Sequence, residues 1–341
     1  MGTIYTDEVG GVEQQFGIEQ AWHGQTQMMA APFSWFDLQL QNACITWPID
    51  VVPMQSLLVD GVESLPDQQA VVRTAPDGTK RFFKQHGRTY DAGLPQHVVE
   101  LVDAMRELAG DDISDNMVSA LTLHKGRQWA MTWALRERSV NGVKFNAHLM
   151  ASGSFDGSLA VTVRDTSTVV VCMNTLAIAL HGNAAYKFKN TRSVNTRVEE
   201  ARDALLDEAR RALGQTTKAG QAFVDQVLAL QSTPCGNMQF ERIVANLFPI
   251  GEEVPARSRN ANETARDQVM GIWRDGQMAE GHDNSAWAAV QAVNTYECWG
   301  TPIRKAKGLT EEETRWMRHF EVQTGQADQP LTARTVQLLT V

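Results

Sequence analysis

Gly153–Leu180 reads GSFDGSLAVTVRDTSTVVVCMNTLAIAL, and its pattern sets the expected fold. Phe155-Asp156-Gly157-Ser158 is turn chemistry, because Asp-Gly supplies the φ > 0 position that a tight hairpin needs. Before it, Phe145, Ala147, Leu149 and Ala151 alternate with Asn146, His148, Met150 and Ser152. After it, Leu159, Val161 and Val163 alternate with Ala160, Thr162 and Arg164. A period of two predicts strands with one face on a core. Thr168–Cys172 (TVVVC) is continuously apolar and predicts a third strand, buried on both faces. Asn174 reads as the N-cap of a helix carrying Leu176, Ile178, Ala179 and Leu180. The order strand, turn, strand, strand, helix predicts an α+β fold: an antiparallel β-meander packed on helices, followed by a mostly helical C-terminal region.

The flanks fill in the rest. Residues 1–31 are polar and glutamine-rich and read as a flexible arm. Residues 32–182 read as the α+β core, 183–325 as a helical region and 326–341 as a polar tail. In the core, residues 33–44 predict a short helix, and residues 45–51 predict a strand whose Pro48 suits an edge. Ala70–Phe83 predicts a hairpin turning at Pro76-Asp77-Gly78, and Leu94–Leu108 an amphipathic helix. Met117–Val140 predicts another hairpin, turning at His124-Lys125-Gly126-Arg127, with Trp129, Met131 and Trp133 on one strand face. Those tryptophans read as core, or as stacking platforms for bases.

In the helical region, Thr196 and Glu199 form a capping box for a helix to Leu213, which Gly214 ends, and a second helix at about 217–231 packs back on it. Further helices are expected over about 237–247, 265–275 and 285–299, with 249–262 as an exposed linker and a last helix capped by Thr310 and Glu313.

Composition narrows the function classes. The net charge is −9. All of it sits in residues 1–79, which hold ten acidic side chains and one basic one, Arg73; the remainder balances. The acidic overall balance therefore says little against a nucleic-acid partner. No apolar run approaches the ~20 residues of a membrane helix, and no signal-peptide pattern opens the chain. Cys44, Cys172, Cys235 and Cys298 form no Cys-x-x-Cys pair, which predicts free thiols in a reducing cytoplasm.

Trp22-His23-Gly24, Asn42–Trp47, Phe155–Ser158, Val170–Leu176 and Ala286–Val293 together resemble the phage and plasmid-like family known as domain of unknown function 932. The resemblance implies a gene carried on a bacteriophage or plasmid and brings no established activity. Two departures are a Gln25-Thr26-Gln27 run where the family shows a glycine, and a Lys187–Arg192 loop without histidine. At the level of architecture alone, the strand-strand-strand-helix order resembles the core of Rad52-like single-strand annealing proteins, which oligomerise and hold DNA along a basic groove.

No phosphate-binding glycine loop, paired zinc histidines or nucleophile elbow is present, so neither catalysis nor a metal or other cofactor is expected. Cys172 is nine residues from His181 in apolar surroundings and reads as inert. Asp156 reads as a turn former and Asp165 as a surface charge. Glu280, His282 and Asp283 read as a loop before a helix capped by Asn284 or Ser285. The annealing-protein analogy implies a cationic site of Lys187, Lys189, Arg192 and Arg197, with Lys80 and Arg81 and Lys125 and Arg127 on hairpin turns and Phe188 stacking on bases. The expected function is single-stranded DNA binding by a homo-oligomer. The other reading is a self-assembling or host-directed interaction factor that binds no nucleic acid.

Overall fold

The computed structural model describes residues 12–17, 27–58, 61–87, 90, 92, 94–123, 126–169, 186–187, 198–276, 279, 281–303, 310–311, 314–315, 318, 321–322 and 329–339. They form two compact units that interleave in sequence. The first takes in Met1–Arg136, His148–Arg164 and Ala185–Thr216; the second Glu137–Ala147, Asp165–Ala184 and Thr217–Val341.

The first unit holds a three-stranded antiparallel sheet of β3 (Ile49–Leu58), β4 (Gly61–Thr74) and β5 (Lys80–Gly87), in that order. The expected turn is present: Gly78 sits at φ 83°, where a Cβ is disfavoured, and Ala75 N–H donates to Thr79 O. The proline inside an edge strand is Pro53, beside a register shift, while Pro48 precedes the strand.

The larger sheet includes β1 (Val12–Gly17), β2 (Gln27–Met28), β6 (Ile113–Leu123), β7 (Gln128–Leu135), β8 (Arg138–Val140), β9 (Val143–Ser154), β10 (Thr162–Val169) and β11 (Tyr186–Lys187). Its order is β11-β10-β9-β7-β6-β1-β2, with β8 on β9. The pairing is antiparallel except β1 with β2, which is parallel. The α+β meander is therefore the architecture.

Part of the expected arm is a sheet strand: β1 pairs with β6, Phe16 opposite Ala120. Ladder hydrogen bonds come from the backbone, so a glutamine-rich segment can join a sheet without an apolar pattern. Thr168 and Val169 end β10 and do not begin another strand. The expected second and third strands are thus joined at Thr168 and Val169, and the strand runs unbroken through Arg164 and Asp165, whose side chains are both largely buried. The rest of the predicted third strand and the helix from Asn174 lie outside the described residues.

One face of the β6–β10 region is the core. Trp129, Met131, Trp133, Leu149, Ala151, Val161 and Val163 pack with Val98, Leu101, Val102 and Met105 of α2 (Pro95–Ala109). α1 (Trp35–Leu40) is capped at Ser34, whose hydroxyl accepts from Asp37 N–H while Asp37 accepts from Ser34 N–H.

The helices also differ from expectation. Val198–Ser232 is one helix, α3, through Gly214. A mid-helix glycine costs only ~1 kcal/mol, and burial of Ala209, Ala212, Phe223 and Val227 outweighs it. α4 (Asn237–Leu247) lies where expected. α5 (Ala256–Asp275) begins inside the expected linker, leaving a shorter loop. α6 (Ala286–Thr295) runs into a π-helical turn at Tyr296–Gly300. α6 is buried nearly all round, its polar Gln291 and Asn294 included. α7 (Pro330–Leu339) replaces the polar tail.

Candidate functional site

The face of the larger sheet opposite the tryptophans carries hydroxyls among apolar residues such as Ala130 and Met150. Ser152 and Thr162 hydroxyls meet at 3.1 Å across β9 and β10, and Thr132 donates to Ser119 at 3.0 Å across β7 and β6. Ser154 accepts from Leu159 N–H and donates to Leu159 O, closing the hairpin. Asp156 makes the turn, accepting from Ser158 N–H at 3.0 Å, with Gly157 at φ 68°. Alternation puts Arg164 on the same face as Thr162. Lys187 is the cross-strand partner of Thr162, so it too lies on this face, and it is exposed.

Arg164 is 8 % exposed, and its Nε is buried with no hydrogen-bond partner. Burial pushes its guanidinium down to about 10, still well above neutrality, so the charge persists. Its neighbour Asp165 belongs to the other unit, where it pairs with Arg138. The expectation of a surface charge at Asp165 is thereby corrected; its side chain is 6 % exposed.

The expected cations are distributed unevenly. Arg127 is exposed in the β6–β7 turn, whose carbonyl accepts from Phe155 N–H at 2.8 Å, so that turn adjoins the β9–β10 turn. Lys187, beside Thr162, lies near the same end of the sheet. Lys80 and Arg81 open β5 on the smaller sheet. They lie six and five residues from His86, about 20 and about 17 Å along the strand. His86 is the end of β5 that meets the turn at Gly157: a Cβ added to Gly157 would lie 3.1 Å from His86 Cε1. Arg81 is opposite Arg73, which is buried against Trp47 and Phe83. Lys125, Phe188, Lys189, Arg192 and Arg197 lie outside the described residues. Trp129 and Trp133 are 0 % and 2 % exposed, which removes them as platforms for bases.

The other candidates are structural. Cys44, Cys235 and Cys298 are buried free thiols, and burial pushes Cys235 up to about 11. Cys172 is outside the described residues. Ser285 caps α6, and His282 Nε2 lies 3.0 Å from Asn141 O. No three metal-ligating side chains come together among the described residues. Among them, too, no helix is long and apolar enough to cross a membrane.

Residues 86–320 match the model of a family described as Domain of unknown function (DUF932). The chain belongs to that family. The DUF932 span contains the hydroxyl-bearing face, Arg127, Arg164 and Lys187, and omits Lys80 and Arg81. Of the stretches carrying the resemblance, Phe155–Ser158, Val170–Leu176 and Ala286–Val293 fall inside it, whereas Trp22–Gly24 and Asn42–Trp47 do not. No curated protein and no solved structure matches the chain.

Arg164 was legible only as a strand residue. The signal that points to it is an absence in the sequence: Thr166–Val198 contains no aspartate or glutamate, yet carries Lys187, Lys189, Arg192 and Arg197.

Proposed function

We propose that this is a phage- or plasmid-encoded accessory protein of the bacterial cytoplasm that binds single-stranded DNA and acts in recombination or replication, annealing strands as a homo-oligomer. The observation that carries the reading is the carboxylate-free run Thr166–Val198 with its four cations. Lys187 of that run is exposed on a sheet face rich in hydroxyls. Phosphates attract clustered lysine and arginine through counterion release. Phe188, within the run, would stack on bases. A mobility shift with a single-stranded oligonucleotide at low salt tests it. The wild type retards the oligonucleotide, and neutralising Lys187, Lys189 and Arg192 together weakens the shift. No retardation of the wild type rejects the proposal.

A second reading has its own observation. Phe36 and Leu40, four residues apart on α1, are 64 % and 67 % exposed. An apolar pair on one helix face suits self-association with a second copy of this chain. Light scattering decides: an oligomer that Phe36→Ser and Leu40→Ser dissociate, with no oligonucleotide binding, favours an assembly factor over a DNA-binding one.

A further inference from the structure

A buried guanidinium without a counter-charge is costly, and natural structures keep buried charges paired or liganded. Among the described residues, none is seen to supply that charge to the buried Arg164. No described residue forms a hydrogen bond with its buried Nε, and among the described residues no carboxylate forms an ion pair with it. The sequence that continues from its strand supplies cations, because no acidic residue occurs between Asp165 and Glu199.

The surroundings are donors. Ser152 and Thr162 are 0 % and 2 % exposed, and their shared hydrogen bond uses one of two hydroxyl protons, leaving the other for a ligand oxygen. Lys187 is diagonal to Arg164 across β10 and β11, because its partner Thr162 lies two residues before Arg164. Diagonal neighbours of this kind are about 7–8 Å apart, within reach of two long side chains meeting at one ligand. Arg164 is buried and Lys187 exposed, so the pair runs from the interior to solvent along one strand edge.

We propose that Arg164, Lys187 and the Ser152–Thr162 hydroxyl pair form a binding site for a phosphate-class oxyanion, either free phosphate or the phosphate of a small monoester. Two cations suit a divalent oxyanion better than a single carboxylate. The planar guanidinium donates to two oxygens at once, and the ammonium adds charge at the open side. The site does not rest on nucleic-acid binding: a response to phosphate without oligonucleotide binding leaves it standing and removes the DNA reading.

Thermal melting of the full chain tests it, in inorganic phosphate against sodium chloride of matched ionic strength, because a ligand that binds only the folded state raises Tm with concentration. The wild type is expected to melt higher in phosphate, increasingly with its concentration. Arg164→Met is expected to melt at the same temperature in both salts, and no lower than the wild type does in chloride. Lys187→Ala, at an exposed position, is expected to need at least tenfold more phosphate for the same shift. A parallel titration with glycerol phosphate separates the sources: a weaker response than to inorganic phosphate assigns a free anion, and a stronger one an esterified ligand. Equal melting of the wild type in phosphate and chloride overturns the site, as does an Arg164→Met protein that still responds. If Arg164→Met does not fold, Lys187→Ala decides, and an unchanged phosphate response overturns the site.

Discussion

Arg138 grips Asp165 with both terminal nitrogens, Nη1 at 2.7 Å from Oδ1 and Nη2 on Oδ2, directly against Gly220 of α3. A Cβ at Gly220 would lie 2.6 Å from Arg138 Nη2 and 2.9 Å from Asp165 Oδ2. At Gly214 of the same helix a Cβ would meet nothing within 4 Å. Ala should therefore act oppositely at the two sites. Gly214→Ala is expected to stabilise by about 0.5–1 kcal/mol, the ordinary gain of helix propensity. Gly220→Ala is expected to destabilise despite that gain, and Asp165→Ala to cost about 3–5 kcal/mol by removing the carboxylate that Arg138 grips. Urea unfolding of the three variants checks the signs.

Glu297, 5 % exposed in the π-helical turn, caps α7. Its carboxylate accepts from Leu331 N–H at 3.0 Å, Thr332 N–H at 2.8 Å and the Thr332 hydroxyl at 2.6 Å. Glu297→Ala leaves those donors unsatisfied at a helix N-terminus, a loss of about 1–3 kcal/mol. The expected outcome is faster proteolysis within Pro330–Leu339 at unchanged cleavage elsewhere.

These two relationships mark the limit of what the residues disclose. Asp156-Gly157 and Asp77-Gly78 announce their turns because the requirement is local, and the stripe Val98, Leu101, Val102, Met105 announces α2 for the same reason. The uses of Asp165 and Glu297 depend on partners 27 and 34–35 residues away, so Asp165 reads as a surface charge and nothing local singles out Glu297. Gly214 misleads in the other direction: a helix breaker by local rule is overridden by packing on both sides of it. Arg164 resembles the exposed member of an alternating strand, and only its place beside Ser152 and Thr162 on a buried face reveals a buried Nε with no hydrogen-bond partner.

His86 stacks on Tyr90 with ring centroids 3.6 Å apart, and burial, with Lys84 adding repulsion, holds its pKa below the ordinary value of 6.5; Asp156 opposes the shift. A depressed folded-state pKa means the unfolded chain takes up the proton first. Its contribution to stability is present above pH ~6.5 and is lost as pH falls through the folded value. Tm is expected to drop on acidification from pH 7 to pH 5, and His86→Phe, which keeps the ring stack, to reduce that drop. An equal drop in the variant would assign the acid sensitivity to other groups.

The proposal that cations of the Thr166–Val198 run hold a single strand is tested most directly by the salt dependence of oligonucleotide binding, followed by fluorescence anisotropy. For single strands the slope of log K against log salt is about −0.7 per phosphate contacted. Changing Lys187, Lys189 and Arg192 to Ala is expected to weaken binding and flatten that slope by about 2. A wild-type protein that leaves anisotropy unchanged at low salt, or a triple variant with the wild-type slope, contradicts the account.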